Sequence, residues 1–227
     1  MSSRSITWTI ALLAISGLLA LIFSRPAPPD MPAVPADANI EMGAYDAECG
    51  QYRSVLHDAW MHHNPQWEAY YPAFAWQIAL ESSCQRDAES ASGAIGLAQL
   101  LGSAATDCRG AGLTGSRREA VFSAECAAWL QARAGRTWRS YRTSECRIVL
   151  VWVSYLTGAG WLIDAQDAAR RDGRLAVCWD DGIGDYLQAV ITPENAAHAH
   201  WYARWISDHS GIAVEMTHYA ERAPTEQ

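Results

Sequence analysis

Six cysteines constrain this chain more than any other feature. They fall at Cys49, Cys84, Cys108, Cys126, Cys146 and Cys178, all downstream of an uncharged apolar run at residues 6–23, ITWTIALLAISGLLALIF. An even set of cysteines in an exported chain reads as disulfides, here three, because the compartments beyond the membrane are oxidising. Spacing does not choose the pairing, which stays open. A structural metal site is disfavoured because no Cys-x-x-Cys pair occurs. His62-His63 and His198-x-His200 have no i, i+4 partner set and read as surface or core histidines. No metal ligand and no organic cofactor is assigned.

The apolar run reaches roughly 27 Å as a helix, enough for a bilayer core. Arg4 precedes it, and Arg25 and the stretch RPAPPDMPAVPADA follow it. Residues 1–24 therefore read as a signal anchor or a cleaved signal peptide. A secretory apolar region is usually shorter, and no small-x-small site directly follows Phe23; Ala36-Asp37-Ala38 lies well beyond. The anchor is favoured, with the N-terminus inside. Residues 25–44 form a Pro-rich linker, extended by its prolines, and residues 45–227 form the folded domain.

Charge narrows the chemistry. All 17 basic residues are Arg and none is Lys. That excludes a Walker-type phosphate loop, a pyridoxal Schiff base and a Ser–Lys dyad, each of which needs an amine. The formal net charge of −8 argues against a nucleic-acid partner, which would require a basic surface.

The folded region reads as mainly α. Apolar residues recur at helical spacing over 49–63, with Tyr52, Val55, Leu56, Ala59 and Trp60 on one face. Further helices are expected at 74–83, 117–134, 162–171, 183–189 and 196–207, and another beginning at 96–101. Gly102, Gly110, Gly112 and Gly115 mark a loop. Residues 146–156 are almost wholly apolar; their β-branched content also fits a strand, but a buried central helix suits a helical domain better. The eleven tryptophans pack the core or line a cleft, and the pattern does not sort them.

Chemistry concentrates in residues 79–105, ALESSCQRDAESASGAIGLAQLLGSAA. Glu81 lies near the end of an apolar helix, where partial desolvation raises a carboxyl pKa and suits it to general-acid work. Gly93 and Gly96 would let backbone approach a ligand closely. Gln99 offers both a donor and an acceptor to a neutral polar substrate.

This stretch resembles the soluble lytic transglycosylase family, which shares its fold with goose-type lysozyme. The family pattern is Glu-Ser followed about twelve residues on by Gly-Ala-x-Gly-Leu-Met-Gln-Leu. Here Glu81-Ser82 is followed, without a gap, by Gly93-Ala94-Ile95-Gly96-Leu97-Ala98-Gln99-Leu100. The family's Ala-Tyr-Asn-Ala-Gly-x-Gly looks like Ser154-Tyr155-Leu156-Thr157-Gly158-Ala159-Gly160. A third motif is faint, with Pro193-Glu194-Asn195 at its start and Tyr202 at its end. The resemblance spans residues 65–206. Departures include Cys84 for a usual aromatic, Ala98 for a usual Met, and Leu156 for a usual Asn. Cys84 suggests a disulfide that packs where the aromatic does elsewhere.

The resemblance implies a lysozyme-like helical domain with a cleft, cleaving the β-1,4 bond between N-acetylmuramic acid and N-acetylglucosamine of peptidoglycan. Glu81 would serve as both acid and base and leave a 1,6-anhydro end. Ser82, Gly93 and Gln99 would contact sugar, and Tyr155 would orient Glu81. The partners implied are glycan strands and, through residues 1–24, the inner membrane, with the domain in the periplasm or secreted. Two alternatives stand beside it. One is a hydrolytic muramidase, which needs a second carboxylate such as Asp87, Glu89 or Glu194. The other is a non-catalytic, membrane-tethered murein-binding module.

Overall fold

The apolar run in the middle of the domain is a helix, and the helices Ala120–Thr137, Ala159–Arg171 and Pro193–Ser210 pack against it. The computed structural model describes residues 49–139 and 142–210. The anchor expected at 1–24 and the linker at 25–44 lie outside the described residues. Eight α-helices follow in chain order: α1 Arg53–His63, α2 Tyr71–Ser82, α3 Gly102–Gly110, α4 Ala120–Thr137, α5 Ser144–Thr157, α6 Ala159–Arg171, α7 Gly184–Leu187 and α8 Pro193–Ser210. Among the described residues the only β pairing is two isolated bridges, Glu89 with Ile95 and Ile95 with Leu100. The mainly helical class expected from the sequence is what the chain adopts.

Helix α5 settles the helix-or-strand ambiguity of residues 146–156. Thr143 caps it, its side chain accepting from the Cys146 amide, and Gly158 ends it at φ 87°. Ile148 through Val153 are all essentially unexposed, so the run is apolar all round because it is enclosed all round. Trp60 of α1 stacks on Phe74 of α2 with ring centroids 5.0 Å apart and meets Trp152 of α5 at 5.9 Å. Among the described residues no single helix is long and apolar enough to cross a membrane.

Punctuation falls where side-chain chemistry requires it. Asn64 and Pro65 close α1, since a residue before proline is pushed out of the helical region. Pro72 sits in the first turn of α2, where its missing N–H is not needed. Pro193 opens α8, and Thr192 accepts from the Asn195 amide in front of it. Residues 96–101 do not begin a helix. They form a tight bridged turn, and the helix starts instead at Gly102, in the segment read as loop. Gly96 and Gln99, both at positive φ, set turn geometry there, which overrides the apolar spacing.

Three disulfides tie the domain: Cys49–Cys84, Cys108–Cys126 and Cys146–Cys178. Among the described residues no cysteine is free. The second joins α3 to α4, and the third joins α5 to the segment before α7. The first pins the chain ahead of α1 to the end of α2.

Candidate active site

The end of α2 is an abrupt stop. Ser83 and Cys84 both lie in the left-handed region, at φ 48° and 55°. Each such non-glycine residue costs about 1–2 kcal/mol, and the Cys49–Cys84 disulfide holds the second in place. Glu81 thus occupies the last turn of a helix whose inner face, Phe74, Gln77 and Ile78, is fully buried.

Glu81 opens into a cleft of about 520 Å³ that is also lined by Ser90, Gln99, Tyr155, Trp201 and Tyr202. A second hollow of about 460 Å³ shares Leu101, Ala104, Leu130, Tyr155 and Leu156 with it, so the two form one groove. Burial pushes the Glu81 carboxyl up to about 7. Around it stand Tyr155 and Tyr202, whose phenols burial and then the neighbouring Glu81 charge push well above their ordinary range. Among the described residues lining the cleft, Glu81 is the only acid.

The loop between α2 and α3 is fastened from the side of α4. Arg117 donates through Nη1 to the carbonyls of Gly93 and Leu100, both at 2.9 Å. Arg118 donates to the Asp87 carbonyl at 2.9 Å and pairs with Glu89 at 2.7 Å. Ser123 Oγ accepts from the Ala98 amide at 3.1 Å. Gly96 is required twice: its φ is 88°, and a Cβ there would sit 1.9 Å from the Arg117 carbonyl oxygen. Gln99 donates through Nε2 to the Gly96 carbonyl at 3.0 Å and the Ala88 carbonyl at 3.3 Å. Its amide nitrogen is thereby committed to the loop, which leaves the amide oxygen as its acceptor toward the cleft.

Of the residues singled out from the sequence, Glu81, Gln99 and Tyr155 meet in the cleft, whereas Ser82 and Gly93 are not among those lining it. Ser82 Oγ donates back to the Ile78 carbonyl at 3.3 Å and is nearly buried, which is helix back-bonding. Gly93 turns the loop at φ 79° with open space where a Cβ would stand. The close backbone approach expected of Gly93 and Gly96 is made by Gly96, to the protein's own Arg117 and not to a ligand. The Tyr155 hydroxyl donates to the Ala98 carbonyl at 2.6 Å. It holds the loop, and among the described contacts the Glu81 carboxyl is not its hydrogen-bond partner.

Of the α8 residues in the cleft, the sequence points only to Tyr202, as the end of a faint motif; it reads His198 as a surface or core histidine and misses Trp201. His198, Trp201 and Tyr202 line the cleft from that helix. Their spacing of three and four residues is the available signal. Trp201 is 47% exposed and presents an indole to the groove, while Trp60, Trp67, Trp138, Trp152 and Trp179 are buried. The buried Gln131 of α4 donates through Nε2 to the side-chain amide oxygen Oε1 of the buried Gln77 in α2. This bond joins α4 to α2.

A half-buried carboxyl that holds its proton up to about pH 7, beside an amide and an exposed indole, suits acid catalysis on a neutral, hydroxyl-rich chain. No family model matches this chain, and no curated protein matches it.

Proposed function

We propose that the chain is a peptidoglycan lytic transglycosylase with a lysozyme-like helical domain. The observation that carries this reading is Glu81: a carboxyl that desolvation pushes up to about 7 and, among the described residues, the only acid lining the cleft into which it opens; the adjoining hollow adds Asp107, which is paired with Arg133. The motif resemblance of residues 81–100 and 154–160 supports the substrate class.

In this reading Glu81 donates its proton to the glycosidic oxygen, the C1–O4 bond breaks, and N-acetylglucosamine leaves with a free 4-hydroxyl. The acetamido group of the muramic acid steadies the positive charge at C1. The Glu81 carboxylate then takes the proton of the C6 hydroxyl as O6 closes on C1, which returns the acid and leaves a 1,6-anhydro ring. Intramolecular attack needs no positioned water and gains from a high effective molarity. A hydrolytic muramidase would need a second carboxylate to activate water. Asp87 and Glu89 are largely exposed and engaged with Arg86 and Arg118, outside the cleft lining, and so is Glu194.

Gln99 contacts sugar through its amide oxygen, and Trp201 offers an apolar face to a pyranose ring. Tyr155 forms the wall and fixes the Ala98 turn. The reading requires no cofactor and no nucleic-acid partner. Residues 1–24 would place the domain at the inner membrane facing the periplasm, or send it there after cleavage. Product analysis of digested sacculi tests the reading, since anhydro ends and reducing ends separate the two reactions, and absence of cleavage indicates the non-catalytic module.

A further inference from the structure

The histidine pair at the end of α1 has a partner that the sequence does not reveal. His62 Nδ1 lies 2.9 Å and His63 Nε2 2.6 Å from the same oxygen, Glu125 Oε2 of α4. Consecutive helix residues point about 100° apart, so two imidazoles converge on one oxygen only by offering different ring nitrogens, as these do. The rings stack with centroids 4.4 Å apart. All three donor atoms lie within 4.8 Å of one another.

We propose that His62, His63 and Glu125 form a binding site for a divalent transition-metal ion, zinc foremost. Two imidazole nitrogens and one carboxylate oxygen suit zinc, nickel, cobalt or copper, whereas magnesium and calcium take oxygen ligands. Zinc bonds of about 2.0–2.2 Å set neighbouring ligand atoms about 3.3 Å apart in a tetrahedron. The observed nitrogen–oxygen separations need to open by less than about 1 Å. The remaining positions go to water, and the site faces solvent on the His62 side, whose side chain is 65% exposed.

The two ligand-bearing helices are already locked together. Asn64, the residue after His63, is fully buried and donates through Nδ2 to the Ala128 carbonyl at 3.0 Å. Ala128 lies three residues beyond Glu125. Ligands held on packed helices lose little freedom when an ion binds, which favours affinity. None of the three residues lines the cleft, so the site is independent of the proposed chemistry.

Calorimetric titration of zinc chloride into the full chain, with disulfides intact and no polyhistidine tag, tests the proposal. The expected result is one ion per chain with a micromolar Kd, unaffected by millimolar magnesium. Glu125→Gln and His62→Ala each weaken binding at least tenfold, whereas His57→Ala leaves it unchanged; circular dichroism checks that each variant is folded. Absence of saturable binding below 100 μM, or affinity that survives both ligand substitutions, overturns it.

Discussion

Tyr155 of α5 donates its hydroxyl to the carbonyl of Ala98, at 2.6 Å, across 57 residues of chain. The bond ties the central helix to the turn that carries Gln99. Tyr155→Phe leaves a carbonyl on a fully buried residue without that donor, at a cost of about 1–2 kcal/mol. Urea unfolding measures the loss. Because the hydroxyl is committed to the loop, the proposed function predicts that murein clearing by Tyr155→Phe falls by less than tenfold.

Glu81 makes stability and activity depend on pH in a defined sense. Its folded pKa near 7 lies above its ordinary 4.5. Between these values the folded chain holds a proton that the unfolded chain has released, so stability falls as pH rises through that window. Glu81→Gln removes the effect. It is expected to unfold like wild type at pH 4 and to be more stable by about 3 kcal/mol at pH 8. On the proposed transglycosylase reading, clearing by the wild-type chain is expected to decline as pH rises through about 7, because the acid must start protonated.

Two glycines of one loop separate crowding from backbone preference. Gly96→Ala meets the Arg117 carbonyl at 1.9 Å and a φ of 88°, and costs about 3 kcal/mol or more. Gly93→Ala has a φ of 79° but open space, and costs about 1 kcal/mol. Equilibrium unfolding of the two variants reports the difference.

The disulfide behind the acid closes a loop with a sequence separation of 35 residues. Cys49→Ala with Cys84→Ala lowers stability by about 4 kcal/mol on the chain-entropy account. It also frees the left-handed turn at Ser83 and Cys84, so on the proposed reading clearing activity is expected to drop further than stability alone requires. Activity assays below the variant's melting temperature separate the two effects.

The helical class, the burial of residues 146–154 and the oxidised cysteines were legible from composition and periodicity. Glu81, Gln99 and Tyr155 were legible from motif spacing, and the cleft brings them together. Disulfide pairing was not legible, because it depends on which helix ends meet in space. Gly102–Gly110 was misread because glycines signal loops, while here Gly102 opens a helix after a turn set by Gly96 and Gln99. Ser82 and Gly93 sit inside the motif yet serve the helix and the loop, a distinction that spacing does not encode. Glu125 escaped notice because its partners His62 and His63 lie more than sixty residues away in sequence and meet it only through the packing of α1 against α4.

Mass spectrometry of muropeptides released from purified sacculi tests the central claim most directly. The account predicts that the wild-type chain generates 1,6-anhydro-muramic ends and that folded Glu81→Gln generates none. New reducing ends, or equal release by Glu81→Gln, would contradict it.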